Sequence, residues 1–351
     1  MRKLSRPVFS RLVLITAACG LILPLLSSCY VFHVAKGQLH IACSAIGLRE
    51  ALQNSELSDA DKEKLRYIQR VRLFAEKELS LKPSDNYTTY LPGERRPITF
   101  VVTGAYRDRL EPVTWWFPVV GSVSYRGYFD PEMARDFRDE LEADGYDADL
   151  RTAGAYSTLG WFTDPVTPLM LDLDDGDLAM LIIHELAHGT VYVAGQTEFS
   201  ESMAEFVGRQ GAEDLLRRRS GPDSPQLRSF LDGLADSRTF DRFMRAKALA
   251  LDGLYASRPA DLEKARLDFW ARMRLDLEAA RPEFRTEGYR AIRLRLLNNA
   301  VMVGYLAYAD TEPFEKAFER AGRNWSKFFD LVREAARNDD PMNKLREMNE
   351  Q

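Results

Sequence analysis

Between Leu178 and His188 the chain reads Leu-Ala-Met-Leu-Ile-Ile-His-Glu-Leu-Ala-His, an apolar run of helical length that ends in two histidines four residues apart. Residues four apart share one face of a helix, so His184 and His188 aim at a common point. The apolar lead-in buries this helix and forces both imidazoles to find partners. Asp175 or Asp177 stands where a helix cap belongs. Two imidazoles so placed suit a Zn²⁺ ion at about 2.0–2.1 Å. Glu185 follows the first histidine and flanks the ion, the position of a general base for a metal-activated water. The plainer reading is a helix with two surface histidines. It is weakened because the chain has only 4 histidines in all and because chance yields this pattern about one time in a hundred.

A catalytic zinc takes a third protein ligand and keeps one position open. Residues 197–207 supply candidates: Phe199, Met203, Phe206 and Val207 form a core stripe at helical spacing, while Glu201 and Glu205 share another face. Ala204 and Gly208 are small enough for a close helix approach. Spacing alone leaves Glu201 and Glu205 equally eligible. Either would be an ordinary solvated glutamate if the first motif were missing. No histidine follows His188, which rules out a third histidine downstream. One Zn²⁺ per chain is the cofactor expected.

The N-terminus carries an address. Arg2, Lys3, Arg6 and Arg11 precede an uncharged apolar block from Leu12 to Leu26, and no acid occurs before residue 29. This is the layout of a secretory signal peptide, and the block is shorter than the roughly 20 apolar residues of a spanning helix. Leu26-Ser27-Ser28-Cys29 resembles the lipobox of bacterial lipoproteins. That resemblance implies removal of residues 1–28, a lipid on Cys29 and a protein tethered to the cell envelope on its periplasmic face, with the outer membrane expected. The alternative is an uncleaved anchor running on through Tyr30-Val31-Phe32. Changing Cys29 to Ala should release the protein from the membrane fraction or block its processing.

Of the 3 cysteines, Cys19 would leave with the signal and Cys29 would carry lipid, so Cys43 remains without a partner. Too few cysteines remain for a disulfide scaffold. The full chain of 351 residues has a formal net charge of −5, and the processed chain has 44 basic against 53 acidic residues. Neither balance favours nucleic acid as a partner. A 45% hydrophobic and 29% charged composition is globular.

The fold expected is α+β and mainly helical: one catalytic domain over 29–351, with a small β-sheet and a helical C-terminal half. Helices are expected over 38–54, 59–80 and 131–144, with Ser58 capping the second. Strands are expected over 98–102, 115–120, 123–129 and 146–158. From Asp177 onward nearly all reads as helix, broken at Gly221-Pro222, Pro225, Pro259, Pro282 and Pro313. Arg217-Arg218-Arg219 reads as a solvated helix end. His33 and His40 read as surface residues.

His184-Glu185-x-x-His188 followed by Glu201-Ser202-Met203-Ala204 resembles the gluzincin metallopeptidases, whose second helix carries an N-E-x-x-A type motif with Glu as third ligand. By that match Glu201 is the ligand. More closely, the chain resembles a bacterial family of aminopeptidase lipoproteins. The matching residues are Gly121 with Tyr125-Arg126-Gly127-Tyr128-Phe129, Ala155 to Phe162, the two zinc helices, and Asn298-Asn299-Ala300. The resemblance implies a zincin-like fold and zinc-dependent hydrolysis of a peptide or protein substrate. Ser200 stands where the family usually has Asn, and Glu205 where a small polar residue is common. Glu205 would then support the metal or bind a substrate amine. The exopeptidase motif of one large gluzincin aminopeptidase family is missing, so an endopeptidase of envelope proteins is the first alternative. A non-catalytic envelope assembly or binding protein with a structural metal is the second. Tyr156, Asn298 and Asn299 are further candidates for substrate contact or metal support, and Tyr305 or Tyr308 for an oxyanion donor.

Overall fold

The computed structural model of the protein describes residues 29–117, 121–152, 163–292, 297–308 and 310–350. It is mainly helical with small sheets, in keeping with an α+β chain. Residues 1–28 and Tyr156 lie outside the described residues.

The first described element is α1 (Cys29–Ser44), followed by β1 (Ile46–Gly47), α2 (Leu48–Gln53) and α3 (Asp59–Glu78). The single helix expected over 38–54 is therefore corrected. It starts earlier and is interrupted, because Ile46 and Gly47 leave the helical path to pair antiparallel with β2 (Thr89–Tyr90). Ser58 caps α3 as expected, its Oγ accepting from the Asp61 amide at 3.1 Å. His33 is not a free surface residue, since its Nε2 accepts the Phe129 amide at 2.9 Å.

Next come β3 (Phe100–Ala105), β4 (Trp115–Phe117), β5 (Gly121–Val123), β6 (Tyr125–Tyr128), α4 (Pro131–Ala143) and β7 (Asp147–Thr152). The run 123–129 divides between two sheets. Val123 pairs with Trp115 in the β4–β5 hairpin, whereas Tyr125–Tyr128 pairs with β3. The main sheet has the order β6-β3-β7, wholly antiparallel, with Thr103 opposite Tyr125 on one side and Asp149 on the other. Side chains alternate between the faces of a strand. Val102, Ala148 and Leu150 pack under Ala134 and Leu141 of α4, and Thr103 and Arg151 face the opposite way.

The remainder is helical: α5 (Asp175–His188), α6 (Thr197–Ser220), α7 (Pro225–Ala256), α8 (Leu262–Ala280), α9 (Glu287–Arg290), α10 (Asn299–Leu306), α11 (Glu312–Arg320), α12 (Trp325–Ala335) and α13 (Pro341–Glu350). The helical run is interrupted at Pro225 and Pro313 as expected, each proline sitting in the first turn of the next helix, α7 and α11, where a missing N–H costs nothing. The cap expected of Asp175 or Asp177 is corrected. α5 begins at Asp175 after an N-cap at Asp174, and the Asp175 carboxylate pairs with Lys64 at 2.9 Å and Arg219 at 2.8 Å instead. Arg217 and Arg218 pair likewise with Glu213 and Glu78.

α5 lies at the centre of the largest apolar cluster. Leu65, Ile68 and Val71 of α3 join Leu178 and Ile182 of α5 there, together with Phe199, Met203 and Val207 of α6. On the outer side of α6, Phe206 packs against Phe318, Trp325 and Phe328. α5 and α6 approach closely because Gly208 has no side chain. A Cβ there would stand 2.9 Å from the Met180 carbonyl and 3.2 Å from the His184 Cβ. That closeness brings the glutamates of α6 to the histidines of α5.

Candidate metal site

His184 and His188 present their Nε2 atoms to each other at 3.3 Å, one turn apart on α5. From α6, Glu201 Oε2 lies 3.4 Å from each of them. All three residues are buried, and they form a group able to hold a metal ion among the described residues. The three separations fit a specific geometry. A tetrahedral ion with bonds of about 2.0–2.1 Å has ligand–ligand edges of about 3.3–3.4 Å. Three donors so spaced leave the fourth corner for a non-protein ligand.

The electrostatics agree with the donor set. Burial opposes ionisation of Glu201, yet His188 and His184 overcome it and hold the carboxyl well below its ordinary range. Burial likewise disfavours a charged His184, but Glu201 and Glu205 outweigh it and raise its proton affinity well above an ordinary imidazole. Such mutual stabilisation is what a cation-binding cluster shows when the cation's place is shared out among protons.

Behind His184 stands a second layer. Glu205, one turn beyond Glu201, puts Oε2 3.4 Å from His184 Nδ1. Arg209 is one further turn along, and its Nε donates to Glu205 Oε1 at 2.8 Å. The same guanidinium reaches α7, donating to Asp241 Oδ2 at 3.3 Å and Ser237 Oγ at 2.8 Å. Tyr305 of α10 donates its hydroxyl to the other Asp241 oxygen. Against burial, His184 and Arg209 keep the Glu205 carboxyl low. With neutral histidines, the carboxylates Glu201, Glu205 and Asp241 outnumber the one guanidinium by two charges. A dication would balance this interior, and burial of unbalanced charge is costly. His188 differs from its neighbour: its Nδ1 is buried with no hydrogen-bond partner among the described residues.

Three tyrosines face the site. Tyr308, just past α10, stacks on the His184 ring at 6.3 Å, and Tyr192 meets His188 edge-on at 6.5 Å. Burial pushes the hydroxyls of Tyr125, Tyr192 and Tyr308 up, with Glu201 adding to the effect on each. They are neutral O–H groups at any physiological pH. Of the two tyrosines weighed as oxyanion donors, only Tyr308 is beside the ligands, since Tyr305 is committed to Asp241. Glu185 is half-buried on α5, next to His184.

Other candidates are placed elsewhere. Asn298 is the N-cap of α10, its Oδ1 accepting from the Val301 amide at 3.0 Å and its Nδ2 donating to the Ala148 carbonyl at 2.8 Å. Asn299 donates to the Tyr106 and Arg109 carbonyls and accepts from the Tyr255 hydroxyl. Neither bonds a ligand; together they fix the helix that leads to Tyr308. They open a helix, where a position inside one was expected. Ser200 Oγ accepts from the Val193 amide at 3.2 Å, holding the turn before α6 to its first residues. Arg209 was readable at the i+4 spacing from Glu205. Asp241 gave no sequence signal tying it to the site, whereas Tyr125 stands in the run that carries the family resemblance and Tyr192 follows His188 by four residues.

Comparison with known proteins follows the same region of the chain. A family model described as "Putative aminopeptidase" matches residues 29–346. No curated protein and no solved structure matches.

Proposed function

Because the chain belongs to the family described as "Putative aminopeptidase", we propose that it is a zinc-dependent peptidase of aminopeptidase type, with a zincin-like arrangement of α5 and α6. The observation that carries this reading is the buried triangle of donors from His184, His188 and Glu201, at 3.3 and 3.4 Å. A Zn²⁺ ion held by these three residues would polarise the scissile carbonyl and make water acidic enough to attack near neutral pH.

The chain's own groups do the rest. Glu185 accepts a proton from the attacking water as the new C–O bond forms, then returns it to the nitrogen as the C–N bond breaks. Glu205 accepts from His184 Nδ1–H, so the lone pair of Nε2 faces the metal position. Its engagement with Arg209 favours this role over capture of a substrate amine. Tyr308, neutral and beside His184, is placed to donate to a carbonyl oxygen that gains charge. An intact Glu185 beside the donors speaks against a structural metal site, which has no use for a base.

The leader and the Leu26-Ser27-Ser28-Cys29 sequence support an exported enzyme held to the cell envelope by lipid on Cys29, facing the periplasm from the outer membrane. The decisive assay uses matched peptides with free and with blocked N-termini. An aminopeptidase cleaves only the free-amine set, and an endopeptidase cleaves both. Glu185→Gln should lose hydrolysis of either set by at least about a thousandfold while keeping its metal. Retained turnover in that variant removes Glu185 from the mechanism.

A further inference from the structure

Cys29 already lies within α1, so no linker separates the proposed lipid from the folded protein. The inner side of the helix is docked. Tyr30 meets Tyr128 edge-on at 5.2 Å, His33 accepts the Phe129 amide, and Ile41 is buried beside Leu91. Gly37 meets Phe129 so closely that a Cβ would lie 2.0 Å from its ring. The outer side is unpartnered and apolar. Phe32 is 68% exposed and Leu39 64% exposed, a heptad apart and so on one stripe. Ala35, Ala42 and Cys43 are also exposed on this outer side, with Lys36 and His40 along its edge. The inner side is also held at its start by Phe117 of β4, which packs on Tyr30 at 6.0 Å.

We infer that the outer face of α1 lies flat on the phospholipid bilayer that holds the lipid anchor, fixing the orientation of the whole protein. The inference rests on the proposed lipidation of Cys29 and adds to it. A helix of 16 residues extends about 24 Å at ~1.5 Å per residue. With its first residue tethered and no slack, it starts among the headgroups. An apolar stripe with polar residues such as Lys36 along its edge is the pattern of a helix seated at the headgroup–acyl boundary. Among the described residues no helix is long and apolar enough to cross a membrane, and α1, docked along its inner side on Tyr128, Phe129 and Leu91, offers the bilayer only its outer face.

The full chain, expressed with its own leader, provides a native probe. After processing, Cys43 is the one thiol left, and it stands exposed on the outer side of α1. Membranes carrying the protein are labelled there with an environment-sensitive fluorophore and titrated with spin-labelled lipid. The expected result is blue-shifted emission and strong quenching. In Phe32→Asp/Leu39→Asp, the protein stays in the membrane fraction but quenching falls at least twofold. A tethered protein whose Cys43 probe remains water-like overturns the inference. So does a probe shielded by Cys43–Cys43 cross-linkable pairing of two copies, without lipid quenching. Fractionation beside Cys29→Ala keeps the two levels apart: absence of the wild type from membranes defeats the anchor itself, whereas a present but unquenched protein defeats only the orientation.

Discussion

Taking the guanidinium from Arg209 leaves Glu205 without its partner at 2.8 Å and Asp241 without its partner at 3.3 Å. Glu205 is then free to leave His184, whose Nδ1–H loses its acceptor. Changes in such outer groups typically cost about 10- to 100-fold in metal affinity. Arg209→Met should therefore weaken zinc binding by about that factor in a chelator competition, and Arg209→Lys should recover part of it. Additional replacement of Glu205 by Gln should cost little beyond Arg209→Met alone, because the two residues act as one unit. Glu205 also makes a pH prediction. Its folded-state carboxyl is held below the ordinary value of 4.5 by His184 and Arg209 despite burial. A depressed folded value stabilises the fold above the ordinary range, and that gain is lost as pH falls through the depressed value. In metal-stripped protein, Glu205→Gln should thus have a lower melting temperature than wild type at pH 7, with the difference vanishing in acid. Melting curves from pH 7 to pH 3 check it.

At the scale of elements, the site is the contact between α5 and α6, and Gly208 sets how close they come. The Cβ of a valine there would stand 2.9 Å from the Met180 carbonyl, closer than a Cβ tolerates, and tightly against His184 at 3.2 Å. Overpacking of this kind costs about 1–3 kcal/mol, and it should separate Glu201 from the histidines. Gly208→Val should lose stability and metal affinity together, whereas a surface change such as Ser257→Val should lose neither. Asn299 ties α10 to the rest through bonds to Tyr106, Arg109 and Tyr255. Asn299→Leu strands these buried groups, at roughly 1–3 kcal/mol each, and should show as a marked fall in melting temperature. The same elements show what sequence can carry. The His184–Glu185–His188 turn, the core stripe of α6 and the Ser58 cap are local patterns, repeated at helical spacing, and they were legible. β1 was not, because a two-residue strand has no periodicity and exists only through its partner at Thr89–Tyr90. Asn298 is buried and hydrogen-bonded, but its role as the cap of α10 depends on where that helix starts, which its neighbours in sequence do not mark. Asp241 reaches the site through tertiary packing, about which its neighbours in sequence say nothing.

For the molecule as a whole, the proposed metal would be coupled to the fold, because Glu201, Glu205 and Asp241 share the buried interior with the single guanidinium of Arg209. A ligand bound only by the native state stabilises it by RT ln(1 + [L]/Kd), about 4 kcal/mol at a thousandfold excess over Kd. A strong chelator should therefore lower the melting temperature of the wild type by several degrees and leave that of Glu201→Ala, already without metal, unmoved. Orientation on the membrane and chemistry at the α5–α6 contact are separable properties, since the lipid-facing stripe and the donors lie on different helices. Phe32→Asp/Leu39→Asp should accordingly keep full hydrolytic activity in detergent. The central claim is that His184, His188 and Glu201 hold one zinc ion, and metal content per chain tests it most directly. Purified wild type and Glu185→Gln should each contain one zinc per chain, and Glu201→Ala almost none. Full zinc retention in Glu201→Ala, or its loss only on replacing Glu205, would contradict the account.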